Sequence, residues 1–144
     1  MYKKRIYVIM NKKIASIGCL IIILIIVFTA SSDSGLDESM ISQTIFVDAV
    51  YQPENDIVLI KYVDSSEMTK LVTIEILGME KTFHKEFLQQ SFVEIVQISS
   101  IPQYGWATMP VIFTLDHEEF GKISLKTEIH LSDEMKPRVI YSEI

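Results

Sequence analysis

Residues 14–32 carry no charged side chain, and the charges flanking that stretch have opposite signs. Lys3, Lys4, Arg5, Lys12 and Lys13 precede it with no acid among them, while all 19 acids and the other 8 bases follow from Asp33 onward. The chain is thus a head at +5 and a remainder at −11, joined by an apolar run centred on Leu20-Ile21-Ile22-Ile23-Leu24-Ile25-Ile26-Val27-Phe28. Bases are retained on the cytoplasmic side of a membrane. The pattern therefore predicts a cytoplasmic head over 1–13, a single pass through the lipid bilayer over 14–32, and an outward body. As a helix the 17 residues 14–30 reach about 26 Å, just under the roughly 30 Å of a hydrocarbon core, and Ser31 and Ser32 complete the span.

A retained anchor is the first expectation for that run. The competing one is secretion after cleavage near Ser32, with translation starting at Met10 and Ala30-Ser31-Ser32 as a small-x-small site; bulky Phe28 opposes a cut after Ala30. Cys19 precedes the apolar run rather than following it, so a lipoprotein box does not fit, and it reads as a small apolar residue of the span. The outward body then holds no cysteine, so disulfides cannot brace it and packing must.

Residues 33–40 form a short polar, acidic linker, and from 41 to 144 the pattern is that of a β domain. Over 122–131, Ile123, Leu125, Thr127, Ile129 and Leu131 alternate with Lys122, Ser124, Lys126, Glu128 and His130, which describes a strand with one buried face. Ile45, Val47, Ala49 and Tyr51 give a second such face, and Val72, Ile74 and Ile76 a third. The stretch 57–63 is nearly all apolar and is expected to be central, covered on both sides. Strands are also expected over 92–98 and 111–115, and over the more ambiguous 79–90, where Met79, Phe83 and Phe87 fit either period. About seven strands without crossover helices predict an all-β, two-sheet antiparallel β-sandwich behind one N-terminal transmembrane or signal helix.

That layout resembles immunoglobulin-like and fibronectin-III-like sandwiches over about 41–131, in architecture alone, without the paired cysteines of immunoglobulin domains. The resemblance implies a fold and transfers no activity. The head Lys12-Lys13-Ile14-Ala15-Ser16, followed by an apolar helix and a β domain, also resembles archaeal type IV pilin and archaellum-stator layouts, which implies an assembly subunit.

No segment spells out catalysis. There is no glycine-rich phosphate loop, no cysteine beyond 19, and no spacing that pairs a nucleophile with a base, so neither an enzyme nor a nucleotide binder is expected. A body at −11 repels a phosphate backbone, which excludes nucleic acid as partner. Asp116, Glu118 and Glu119, with His117 among them, are candidate ligands for Ca²⁺ in a turn; the plain alternative is a solvated hairpin tip. No other cofactor is expected. Tyr104 and Trp106, on a loop braced by Pro102 and Pro110, are candidate partner-binding residues, unless Trp106 turns inward to plug the sandwich. His84 and His130 are expected to face solvent. The function anticipated is protein contact or envelope structure, with an envelope protein or a second copy as partner; a secreted cation-binding domain is the alternative.

Overall fold

The structure is a computed structural model that describes residues 35–79, 82–99 and 101–144. The head, the expected transmembrane helix and the first two linker residues lie outside the described residues, and no described helix is long and apolar enough to cross a membrane. The compact unit runs Leu36–Ile144.

Its strands are β1 (Ile45–Gln52), β2 (Ile57–Asp64), β3 (Thr69–Ile76), β4 (Phe83–Phe87), β5 (Ser91–Gln97), β6 (Val111–His117), β7 (Gly121–Thr127), β8 (His130–Leu131) and β9 (Ile140–Glu143). They form a four-stranded sheet in the order β5-β2-β1-β8 and a five-stranded sheet in the order β4-β3-β6-β7-β9. Alternation drives the assembly. Val47 and Ala49 of β1 and Val58, Ile60 and Tyr62 of β2 point inward from the first sheet, and Val72, Ile74, Phe113, Leu115, Ile123 and Leu125 answer from the second, all essentially inaccessible to solvent. The ambiguous stretch 79–90 contributes a strand, β4, whose Phe87 stacks on Phe92 across the sandwich edge at 3.9 Å.

Several expectations need correction. The all-β sandwich stands, but it is not purely antiparallel: β8 runs parallel to β1, with Val50 opposite His130 and Tyr51 opposite Leu131. The alternating run over 122–131 is two strands, because β7 pairs within the second sheet as far as Thr127 and the chain then crosses to the first. Nine strands replace seven among the described residues, β8 and β9 being short additions at the two sheet edges. β2 is central, yet only one of its faces is covered; Leu59 and Val63 stay partly exposed and Lys61 is exposed. The polar stretch before residue 41 also becomes ordered earlier than composition suggests. Asp37 caps a short helix α1 (Glu38–Thr44) by accepting from the Met40 amide at 3.1 Å, and Ile41 is buried beneath it.

Thr127 continues the inward face of β7, and its buried hydroxyl finds no hydrogen-bond partner among the described residues. Replacing an orphaned hydroxyl by a methyl of the same shape removes a desolvation penalty. Thr127→Val is therefore expected to stabilise the domain by about 1 kcal/mol, read as a rise in melting temperature; a fall would show that the hydroxyl is bonded.

Candidate functional site

The two outward faces of the sandwich differ in polarity. On the second sheet one row across all five strands reads Glu86-Thr73-Thr114-Ser124-Ser142, and the next reads His84-Glu75-Ile112-Lys126-Ile140, with Ile140 exposed at the edge. Hydroxyls and charges dominate that face. On the first sheet the successive rows read Ile95-Leu59-Val50, Val93-Lys61-Asp48 and Ser91-Val63-Phe46. Val93 and Ile95 are 57% and 61% exposed, and Phe46 is 41% exposed. An apolar surface crossed by a single charged row on one sheet face, against a more polar face on its twin, is a contact surface by composition.

The charges on this face are few and engaged. Lys61 and Asp48 lie side by side in the row that ends at Val93. Lys136 places its ammonium 3.7 Å from the centroid of Phe46, with Lys61 at 5.5 Å, so two cations contact the ring. Burial draws the Lys136 ammonium below its ordinary pKa, and the Asp48 carboxylate opposes that shift. Asp48 is also the partner of His130, contrary to the expectation of a solvent-facing histidine. His130 is 7% exposed; its Nε2 lies 3.0 Å from Asp48 Oδ1 and its Nδ1 2.7 Å from the Leu131 carbonyl. Both ring nitrogens lie within hydrogen-bond distance of an acceptor oxygen, which fixes the ring between β8 and β1. His84 is exposed as expected and bonds Glu75 at 2.9 Å.

A second polar constellation is buried between the sheets. Asp64, at the end of β2, accepts from the Ser66 amide and hydroxyl at 2.8 and 2.6 Å through Oδ1. Through Oδ2 it accepts from the amides of Met68 and Thr69 at 3.0 and 2.8 Å and from the Thr69 hydroxyl at 2.7 Å. Tyr62 bonds the same Thr69 hydroxyl at 2.7 Å, and burial raises its phenol far above the ordinary range. His117, from β6 of the opposite sheet, sets Nε2 3.1 Å from Ser66 Oγ and 3.5 Å from Asp64 Oδ2. Burial alone would raise the Asp64 carboxyl, but the hydrogen bonds from Ser66 and Thr69 outweigh it and hold the pKa at about 2 against 3.8.

Asp, Ser and His in contact invite comparison with a nucleophilic triad, and proton placement decides against one. His117 Nδ1 accepts from the amides of Glu119 and Phe120 at 3.1 and 3.2 Å, so the ring proton is on Nε2. That nitrogen donates toward Ser66 and cannot take the hydroxyl proton, which is itself held by Asp64. The side chains of Asp64 and His117 are wholly inaccessible. The constellation staples β2 to β3 and β6.

No family model, curated protein or solved structure matches the chain. The site must therefore be judged on its own geometry. The structure parts the two aromatic candidates: Tyr104 is 82% exposed, while Trp106 packs against the core at 4.7 Å from Tyr51, tilted by 49°. Tyr104 borders an open cleft of about 320 Å³ with Met79, Ile98, Pro102 and Met109. Nor does the acidic turn converge. Asp116 lies on the outward face opposite Lys122, and Glu118 reaches Lys70 at 3.7 Å. Glu119 is exposed in the turn, and no group of three His, Cys, Asp or Glu comes together as a metal site among the described residues. Sequence reasoning missed both the apolar outward face and the buried constellation.

Proposed function

We propose that the chain is a membrane-anchored, extracytoplasmic β-sandwich that works by protein contact and not by catalysis, with the outward face of β5-β2-β1 as its contact surface. The observation that carries this is the clustered exposure of Phe46, Val93 and Ile95 on one sheet face, set against a second sheet whose outward rows are mostly hydroxylic and charged, with Ile140 exposed at its edge. The immunoglobulin-like resemblance is one of architecture and adds no activity. The charge split around residues 14–32 supports the anchor and the outward orientation, and the excess acid supports neither nucleic acid nor nucleotide as partner.

A photoreactive phenylalanine installed at Val93 of the full chain in its native membrane should form protein adducts, while one at Ser142 on the hydroxylic face should not. Equal yields at both positions would remove the contact reading. Protease added to intact cells should digest the body; a body spared in cells and cut in lysates would reverse the orientation.

A further inference from the structure

We infer that the contact surface takes a second copy of this chain, through antiparallel pairing of β5 with β5 of the other copy, so that two four-stranded sheets become one continuous sheet. The inference rests on the reading of the β5-β2-β1 face as a contact surface and names its occupant.

The four sheet edges are not alike. β8 offers two residues and β9 four, too few to template a partner strand. β4 offers five, with His84, Lys85 and Glu86 in succession, a charged edge of the kind that deters pairing. β5 offers seven residues in unbroken register with β2, from Val63 opposite Ser91 to Ile57 opposite Gln97. It has no proline or bulge, and its one acid turns inward: Glu94 points to Lys85 of β4 at 2.8 Å. Among the described residues the longest regular edge is therefore also the unprotected one.

Its backbone groups are aimed outward in the right order. The Gln90 carbonyl accepts from the Asp64 amide at 2.8 Å, and the Ile98 amide donates to the Asp56 carbonyl at 2.8 Å, so even-numbered residues of this segment serve β2. Alternation then turns both N–H and C=O of Ser91, Val93, Ile95 and Gln97 to the open edge. The side chains of Val93 and Ile95 stand on the apolar face, so pairing at this edge sets them beside their counterparts in the other copy and buries their facing flanks.

Symmetry and charge select a copy of the same chain. A body carrying −11 repels its like at most approaches, whereas this face holds Lys61 and Lys136 against Asp48, and Lys85 neutralises Glu94. A two-fold axis at Glu94 would set two carboxylates directly opposite. An axis one residue away, at Val93 or Ile95, puts Glu94 opposite Phe92 or Val96 and places identical apolar residues at the centre of the junction.

Cysteine cross-linking on the full chain in its native membrane tests this, because Cys19 is the only cysteine to remove. In a Cys19→Ser background, single cysteines at Ser91, Val93, Ile95 and Gln97 are oxidised mildly beside a Ser142→Cys control. The expected result is a disulfide-linked dimer at Val93 or Ile95, at least tenfold above the control and weak at Ser91 and Gln97. A chain that stays monomeric at all four positions overturns the inference. If Val93 nevertheless forms photo-adducts with a different protein, self-pairing fails while the contact reading survives; no adduct of either kind removes both. As a second measurement, light scattering of the detergent-solubilised chain should change from dimer to monomer with Ile95→Lys, an exposed position where folding is unaffected. A dimer that persists in that variant overturns the inference.

Discussion

Asp64→Ala is expected to destabilise the Leu36–Ile144 domain by about 3–5 kcal/mol, a large part of what a domain of this size holds. The carboxylate accepts five hydrogen bonds from Ser66, Met68 and Thr69, and of the amides it serves Thr69 opens β3, with Met68 just before it, where register shifts between Thr69 and Leu71. Without it those donors are left in a site that water does not reach, and the β2–β3 junction loses the group that fixes Glu67 at a positive φ of 58°. Urea unfolding at neutral pH measures the loss as a lower midpoint at unchanged slope; a change under 1 kcal/mol would mean that the junction repacks without its anion. The same group predicts an acid limb. A carboxyl held at about 2 in the fold against 3.8 when free contributes stability that is complete above the free value and disappears as pH falls through the folded one. About 2.5 kcal/mol should therefore be lost between roughly pH 4 and pH 2, and Asp64→Asn should abolish that limb while keeping the side chain's shape.

How much of this was legible in the sequence depends on whether a residue obeyed the period of its strand. The inward sets Val47-Ala49-Tyr51 and Val72-Ile74-Ile76 are plain in the sequence, because apolar side chains at every second position have one burial solution. The buried constellation obeys the same rule and was still missed. Asp64 continues Val58-Ile60-Tyr62, and His117 continues Val111-Phe113-Leu115, each in phase with a core face; both are polar, and polarity at a strand end reads as a turn. The signal was the phase, not the residue type. The outward face of β2 failed for the opposite reason. Leu59 and Val63 are apolar on the uncovered side, and an unbroken apolar run cannot distinguish a second covering layer from a surface awaiting a partner. His130 was not legible at all. It breaks phase with Ile129, and its burial follows from a crossover to β1 and from Asp48, some eighty residues earlier in the chain.

Trp106→Ala is expected to destabilise the domain by about 3 kcal/mol, toward the low end for truncating a buried indole because the ring is only partly enclosed. Tyr104→Ala, two residues away, should stay within about 0.5 kcal/mol. The difference follows from how the loop between β5 and β6 is seated. Gly105, at a φ of 84°, turns the chain so that residues 106–108 form one 3-10 turn and Met109 is buried behind it. The indole then covers Tyr51, whose hydroxyl donates to Asp56 at 2.8 Å and so pins the β1–β2 turn. Across the cleft, Gly78 approaches so closely that a Cβ there would sit 2.5 Å from the Thr108 carbonyl oxygen, leaving the loop no room to settle into the space an alanine would open. Loss of the indole therefore uncovers Tyr51 and the end of the core together, whereas loss of the Tyr104 ring removes a side chain that is 82% exposed. Thermal unfolding of the two variants side by side measures both. Equal effects would show that the loop is anchored as a unit by its backbone, and a stable Trp106→Ala variant would return the indole to the list of contact residues.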